Sequence, residues 1–293
     1  MSKGSMFWSN ARGKVGDVVF SNVKGQVITR KYQPCPTNPR TDAQQLQRAK
    51  FSNAVKFFKH AQQAYFRFAY EDKKKTESEY NAFMRYNASK AMLPTRNQYL
   101  GYYPSIGMLY QIAAGSLPSI DDVSAGTADI TFKMGTTTWS TQPTIGELTA
   151  ALAAKYGLQS GDIITMLRIN CAGVNDIKSD PAAYPTWNIW QFRLDETSTQ
   201  TVDSVIKDPV WEFSTPAVGE ANFMVGAIDG HVMASMVVSR VLTSGTKVSD
   251  SMLYVDETLE EIYTNSNTES WRKTALETWS SSGSAVLQGS LSE

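Results

Sequence analysis

Residues 13–30 read GKVGDVVFSNVKGQVITR, and they are the most informative part of this 293-residue chain. β-Branched and aromatic residues form two runs, separated by Asn-Val-Lys-Gly at residues 22–25. Such residues favour strands, and a glycine-containing interruption favours a turn. The pattern predicts two short strands over residues 12–32, joined as a hairpin with Gly25 at positive φ in its tip.

The hairpin leads into residues 33–40, which contain three prolines. Proline lacks a backbone donor and fixes its own φ, so this segment is predicted to be an extended, polyproline-like arm. A helix is predicted to begin at Thr41, because Thr41 and Gln44 have the spacing of a capping box. Its apolar stripe is expected to pack on the core of the same domain and consists of Leu46, Phe51, Val55, Phe58, Ala61, Tyr65 and Phe68.

Two aromatic residues of this helix, Phe57 and Phe66, lie off the stripe and are predicted to form a second contact surface. A second helix is predicted from a capping box at residues 76–79 to about Met92, where Leu93-Pro94 ends it. Residues 41–92 should therefore form a helical hairpin.

The rest of the chain is rich in short runs of Thr, Ser, Val and Trp, bounded by turn residues. Such runs at this spacing are typical of a β-sandwich or barrel. Strands are predicted at 108–117, 127–134, 161–171, 186–194, 209–214, 221–228, 231–242 and 250–256. Two helices are predicted within this region, at 144–156 and 267–280.

The predicted fold class is therefore α+β, with two domains. Residues 1–105 would contain the β-hairpin, the extended arm and the helical hairpin. Residues 106–293 would form a β-rich, sandwich- or barrel-like domain with two helices.

The zero net charge of the chain hides a strong division. Residues 1–100 contain 18 basic and 6 acidic residues, a net of +12, and the remainder contains 10 basic and 22 acidic residues, a net of −12. Opposite charges on two parts of one chain favour head-to-tail association of identical copies. Two alternatives stay open, namely solvated faces that merely differ in sign and binding of the basic part to a polyanion.

Several classes of protein are disfavoured. The two cysteines, Cys35 and Cys171, do not make a disulfide framework or a metal site. No apolar run is long enough to cross a bilayer, so no membrane partner is expected. The first residues lack the apolar segment of a signal peptide, so we expect synthesis in the cytoplasm without export by the usual route.

The sequence offers little for catalysis, and we expect no enzyme activity, no catalytic, cofactor-binding or metal-binding residues and no cofactor. His60 and His231 have no ligand-spaced partners, and Ser244–Lys247 matches only half of a phosphate-binding loop. A glycoside hydrolase is one alternative, with Glu257 and Glu260 as carboxylates and Trp187, Trp190 and Trp211 lining a sugar groove. A solvated turn and helix start is the preferred interpretation of the acidic run at 256–261.

The N-terminal residues carry a family resemblance. Residues 13–19 (GKVGDVV), 36–44 (PTNPRTDAQ) and 48–51 (RAKF) resemble an uncharacterised protein family of Bacteroides genomes and their phages. Residues 115–118 (GSLP) are similar to the middle of that family, and residues 237–240 (VVSR) with 249–253 (SDSML) to its end. The chain departs from the pattern after Val255.

The resemblance implies a virion structural protein of crAss-like tailed phages, located in the virion and made in the cytoplasm of a bacterial host. We expect a homo-oligomeric ring at the portal or head–tail junction, with twelve-fold symmetry as one candidate. Its other partners would be portal, neighbouring ring or tail proteins, and nonspecific contact with packaged DNA is an option. The alternatives are a capsid-decorating or head-fibre protein and a packaged DNA-binding protein.

Assembly contacts are expected in the N-terminal region, where basic and arm residues combine. The candidate assembly residues are Arg12, Lys14, Lys24, Arg30, Lys31, Pro36, Asn38, Pro39, Arg40, Thr41, Gln44, Arg48, Phe57 and Phe66.

Overall fold

The computed structural model describes residues 12–23, 26–35, 41–59, 69–91, 109–135, 139–140, 142–172, 184–206, 211–214, 221–227, 230–266, 268 and 270. Within these ranges it contains five helices and fourteen strands, and all strand pairs within the sheets are antiparallel. The predicted α+β class is confirmed. None of the helices in the described ranges is both long enough and apolar enough to cross a bilayer.

The chain divides into two compact units, Met1–Gln44 and Gln45–Glu293. The first unit contains a three-stranded sheet in the order β1-β2-β3, with β1 at Gly13–Val15, β2 at Val18–Val23 and β3 at Gln26–Lys31. The sequence predicted two strands here, and the third arises because Gly16 takes a φ of 57° and reverses the chain between β1 and β2. Gly25 lies outside the described residues.

The elements of the second unit follow the predicted order closely. The helices are α1 (Asp42–Phe57, which begins just before the unit boundary), α2 (Glu79–Asn87), α3 (Ile145–Tyr156), α4 (Val202–Val205) and α5 (Glu257–Ser266). The strands are β4 (Gln111–Ala113), β5 (Val123–Ala125), β6 (Asp129–Lys133), β7 (Ile163–Ala172), β8 (Tyr184–Arg193), β9 (Trp211–Ser214), β10 (Asn222–Gly226), β11 (His231–Leu242), β12 (Gly245–Val248), β13 (Ser251–Met252) and β14 (Tyr254–Val255).

Three sheets form in this unit. The largest has the order β12-β11-β7-β8, with β14 also paired to β11. A second has the order β5-β6-β10-β9, and β13 pairs with β4 in a third. The described strands form open sheets, as a sandwich would, rather than a closed barrel.

Strands β7 and β11 are buried on both faces. Alternate residues of a strand point to opposite sides, and consecutive residues of both strands are buried. On one side, Leu167 and Met233 pack with helix residues such as Phe57 and Phe83 in what we call the helix-side cluster. On the other side, residues that include Ile164, Met166 and Val232 pack with β6, β10 and α3 in what we call the sheet-side cluster. The long pair β7–β11 is thus the centre of the second unit.

This arrangement explains why the compact units divide at Gln44 and Gln45, whereas the sequence prediction placed a domain boundary near residue 105. The helical segment contributes Phe57, Phe83 and Tyr110 to the same cluster as Leu167 and Leu253 of the β-rich part. Packing across that predicted boundary joins the helices to the sheet in one core.

The buried face of α1 differs from the predicted stripe. Phe57 is 1% exposed and Phe58 is buried beside it, but Phe51 is 50% exposed. The buried positions recur at helical spacing on a face that adjoins the predicted stripe, and they are Ala49, Asn53, Ala54, Phe57 and Phe58. The prediction that Phe57 belongs to an external contact surface is therefore wrong, because the chain's own core covers its side chain.

Local capping signals mark the helix starts with different accuracy. At α3, Thr144 and Glu147 form a complete capping box and Gly157 ends the helix at a φ of 71°, which confirms the prediction for 144–156. At α1, the Gln44 N–H donates to Thr41 Oγ1 at 3.4 Å, as predicted. At α2 the cap is Ser78 rather than Thr76, with the Asn81 N–H donating to Ser78 Oγ.

Other differences concern short or late elements. Residues 245–248, part of the rejected phosphate-loop pattern, form β12 and pair with β11. The helix near the end, α5, spans Glu257–Ser266, and the predicted helix at 267–280 lies almost wholly outside the described residues. Strands β5 and β12 and the single-turn α4 were not predicted.

Candidate functional site

Among the described residues, a polar groove forms a concave surface in the second unit. Its cavity has a volume of about 520 Å³. It is lined by Glu71, Asp72, Tyr86, Gln111, Ala114, Gly115, Ser116 and Asp250. We call it the acidic groove, because three of these side chains are carboxylates.

Three chain segments run side by side to form the groove. Tyr70 makes a parallel bridge with Ala114, and Leu117 makes another with Ser249. The Glu71 N–H donates to the Ala114 carbonyl at 2.9 Å, and the Leu117 N–H donates to the Val248 carbonyl at 3.0 Å. These backbone bonds fix the relative positions of the acidic side chains that follow Tyr70 and precede β13.

Gly115 allows these segments to approach closely. A Cβ atom at this position would meet the Val248 carbonyl oxygen and would lie 2.6 Å from Glu71 Oε1. Contacts this short do not occur for real side chains, so the groove requires a residue without a Cβ here. Gly115 belongs to the GSLP motif at residues 115–118.

The carboxylate of Glu71 spans the floor of the groove. Its Oε1 accepts the Val248 N–H at 2.5 Å, and its Oε2 accepts the Ser116 hydroxyl at 2.9 Å. The Glu71 side chain therefore bonds a residue that is 177 positions away in the sequence.

Asp72 is held by α2. Arg85 Nη1 lies 2.7 Å from Asp72 Oδ2, and the Tyr86 hydroxyl donates to the same oxygen at 2.7 Å. The hydrogen bond from Arg85 is the main cause that holds the pKa of Asp72 below its usual range. Arg85 also bonds Glu77, and it lowers the pKa of that carboxyl too.

The opposite wall combines Gln111 and Asp250, whose side chains are hydrogen-bonded. Gln111 is itself positioned by Asn87 of α2, which accepts the Gln111 N–H at 2.7 Å and donates to the Gln111 carbonyl at 2.9 Å. The Tyr70 hydroxyl donates to that carbonyl as well, and burial raises the pKa of Tyr70. These contacts tie α2 firmly to β4.

Each carboxylate of the groove is thus already bonded to a donor of the same chain. Together they present negative charge on a concave surface, which suits a cationic side chain of a partner better than acid–base chemistry. Within the described part of the chain, no group of three or more His, Cys, Asp or Glu residues is placed to hold a metal ion.

The two histidines differ in what the structure shows. His60 lies outside the described residues. His231 is the first residue of β11, and its Nδ1 lies 3.2 Å from Asp256 Oδ2. Asp256 is fully buried and caps α5, because the Leu259 N–H donates to its Oδ1 at 2.8 Å. Burial raises the pKa of Asp256, against the N–H donors and His231 that lower it.

The glycosidase alternative gains no support from the geometry. Glu257 and Glu260 lie exposed in the first turn of α5, as the preferred interpretation expected. Trp187 packs against the helix-side cluster and Trp190 against the sheet-side cluster, so the two rings lie on opposite faces of β8. The side chain of Trp211 lies outside the described residues.

The predicted assembly residues fall into three groups. Arg12, Lys14, Arg30, Lys31, Thr41 and Gln44 are exposed, and the ammonium of Lys14 lies 3.5 Å from the centre of the Tyr32 ring. Arg48 is half-buried on α1, and Phe57 is in the core. Lys24, Pro36, Asn38, Pro39, Arg40 and Phe66 lie outside the described residues.

Sequence reasoning did not find the acidic groove. No local signal in the sequence indicates that Asp250 lies in the same groove as Glu71 and Asp72. Only the pairing of distant segments brings these residues together.

Comparison with known proteins gives a family but no activity. The sequence has no match among curated proteins. The model of one family matches residues 10–173, which include the N-terminal sheet and most of the groove-lining residues. Because this match covers more than half of the chain, the protein belongs to that family, the family of unknown function DUF6266.

Proposed function

We propose that this protein is a non-enzymatic structural protein of a tailed-phage virion, in which copies associate into a ring at the portal or head–tail junction. The resemblance of residues 12–58 to proteins of Bacteroides phages supports the virion assignment. The distribution of charge between the two compact units supports self-association.

The single observation that carries the proposal is that the two compact units have net charges of opposite sign. Residues 1–44 contain seven basic and two acidic residues, a net of +5, and residues 45–293 contain the other 21 basic and 26 acidic residues, a net of −5. The described basic residues of the first unit, Arg12, Lys14, Arg30 and Lys31, are exposed. The basic unit of one copy would therefore be attracted to the acidic unit of the next.

The acidic groove is the candidate acceptor on the second unit. Asp250 is exposed there, and Asp72 remains partly exposed despite its bonds to Arg85 and Tyr86. Because Asp72 is already paired with Arg85, Asp250, which accepts a hydrogen bond from the uncharged Gln111 side chain, is the better candidate for a charge contact with a neighbouring copy.

Light scattering and negative-stain imaging of the purified full-length chain test the proposal. We expect ring-shaped oligomers in the images and an average molar mass that rises with protein concentration in light scattering. We also expect the protein in purified virions. An antibody should label one vertex of the virion rather than the whole head. A strict monomer at high concentration, together with absence from virions, would contradict the proposal.

A matched pair of variants tests the acceptor. Asp250→Asn should weaken assembly, because it removes one negative charge from the groove at nearly constant shape. Asp203→Asn on α4 makes the same chemical change at another exposed position and should leave assembly unchanged. Equal assembly of both variants would exclude the groove as the acceptor.

A further inference from the structure

The N-terminal sheet has an apolar face that is only partly covered. In the register of the sheet, Val15 lies opposite Val18, and the next position of β2 on this side, Phe20, lies opposite Thr29 of β3. Side chains of directly opposed residues lie on the same face, and residues two positions apart in a strand share a face. Val15, Val18, Phe20 and Val27 therefore lie on one side of the sheet, which we call the valine face.

This face is more exposed to solvent than is usual for a face formed largely by apolar residues. Val15 is 63% exposed and its cross-strand partner Val18 is 38% exposed. Of the residues described in β1, β2 and β3, Val27 is the one that is buried, at 8% exposure. A small three-stranded sheet needs a packed apolar face for stability, so an exposed valine pair beside the β1–β2 turn indicates a docking surface.

The charges around the valine face restrict the partner. Lys31 lies opposite Val18 and hence on the same face, where it is exposed, and the exposed Arg12 directly precedes β1. Asp17 is the acidic residue among those described in the sheet region. Exposed valines beside a lysine fit a partner surface that offers both apolar contact and negative charge.

A second copy of the chain supplies a partner of opposite net charge in a fixed ratio. Its second unit carries the net −5 that balances the net +5 of the first unit. Nucleic acid would match the positive charge but would not cover a valine pair, since DNA is bound chiefly through its phosphates.

We infer that the valine face docks on the acidic second unit of a neighbouring copy and covers Val15 and Val18 there. This inference rests on the proposed function, and it names the surface through which one copy holds the next. It makes the first unit a docking module rather than a flexible tail.

Threonine replacements provide the first test. The double variant Val15→Thr/Val18→Thr keeps the side-chain shape and the strand preference but makes the face polar. We expect sedimentation velocity across a concentration series to show association at least about tenfold weaker than that of the wild type, since loss of two apolar contacts exceeds the energy of a tenfold change. Val241→Thr is the matched control, because Val241 is 68% exposed on β11 of the second unit.

The outcomes separate the inference from the proposed function. If the wild type assembles and the double variant assembles equally well, the valine face is not the contact and the inference is overturned, while the assembly proposal stands. If the wild type is a monomer, the assembly proposal itself fails. If the double variant loses binding to phosphatidylglycerol vesicles and keeps its self-association, the face is a lipid-binding surface and the inference is also overturned.

Crosslinking gives a second test that does not depend on destabilising the sheet. A photoreactive residue is placed at position 18 of the full-length chain, and this protein is mixed with isotope-labelled wild type. The inference expects mass spectrometry to identify crosslinks from position 18 to residues 45–293 of the labelled copy. Crosslinks confined to the copy that carries the photoreactive residue would overturn it.

Discussion

At the scale of single residues, burial separates side chains that look alike in the sequence. Phe51 and Phe57 are both aromatic residues of α1, yet only Phe57 reaches the core. Its ring lies 4.4 Å from the Tyr110 ring and 5.8 Å from the Trp187 ring, centre to centre. The partner rings come from other segments of the chain, so helical spacing alone could not distinguish the two phenylalanines.

The two phenylalanines should respond differently to truncation. Phe57→Ala should lower the free energy of unfolding by about 3–5 kcal/mol, because it leaves a cavity among aromatic rings. Phe51→Ala should change it by less than about 1 kcal/mol, because that ring is half exposed. Urea denaturation of both variants checks the difference, and equal losses would show that the stripe through Phe51 is the buried one.

Gly115 provides a test of the groove geometry. Gly115→Ala should reduce stability by about 1–3 kcal/mol, because the new methyl group meets a fixed backbone carbonyl. The usual gain from replacing glycine, about 0.4–1 kcal/mol through the unfolded state, is smaller than this cost. Thermal denaturation measures the loss, with the exposed Ser124→Ala on β5 as control. An unchanged or higher Tm for Gly115→Ala would show that the three segments are less closely packed.

At the scale of elements, local signals identified most helices and strands, and tertiary contacts adjusted their ends. The capping box of α3 is entirely local, and its helix formed where predicted. At α2, Glu77 accepts hydrogen bonds from Arg85 and from the Lys74 N–H, and the helix begins two residues later at Glu79, with Ser78 as its N-cap. The side-chain network around Arg85 thus links the turn before α2 to the helix itself.

This network should make the stability of the fold depend on pH. Arg85 lowers the pKa of Asp72 and of Glu77, so their contribution to stability is present above the ordinary carboxyl pKa of about 4 and is lost as the pH falls through the lowered values. Arg85→Met should therefore lower the Tm at pH 7 and converge with the wild type in strong acid.

Measurement of Tm from about pH 2 to about pH 7 tests this effect, because that range spans the ordinary carboxyl pKa of about 4. Arg193→Met, at the exposed end of β8, is the control and should follow the wild type throughout. A constant difference between Arg85→Met and wild type at every pH would mean that the guanidinium acts by packing rather than through these carboxylates.

At the scale of the whole molecule, the two compact units carry opposite net charge, although the change from basic to acidic sequence lies near residue 100, within the second unit. The N-terminal unit is small, basic and apolar on one exposed face, and the second unit is acidic and has its own two-sided core. This combination is what makes association of copies the leading proposal, because each unit supplies what the other lacks.

Association should therefore depend on salt and on Lys31. Raising the ionic strength from about 0.1 M to about 1 M shortens the screening length from roughly 10 Å to roughly 3 Å, so association should weaken markedly. Lys31→Glu should weaken it already at low salt, whereas Lys247→Glu on β12 should not. Light scattering at both ionic strengths measures this, and association that is independent of salt and of Lys31 would contradict a role for the charge division.

The sequence alone was sufficient for the α+β class, for the N-terminal strands and for the order of most later elements. These features depend on neighbours in the chain: alternation of apolar residues, turn glycines, prolines and capping pairs act over a few positions. The opening segment at residues 13–30 was therefore interpreted correctly as paired strands, but its third strand and the turn at Gly16 were missed. The predicted positive φ of Gly25 stays a prediction.

The tertiary structure alone decided which aromatic faces the core, where the compact units divide and how the acidic groove forms. Arg168, a fully buried side chain in the middle of β7, likewise has no local signal. Each of these features depends on residues far apart in sequence, such as Glu71 and Val248. These contacts form because packing lowers the free energy of the whole unit. A short segment of the sequence does not reveal which distant residues will pack together.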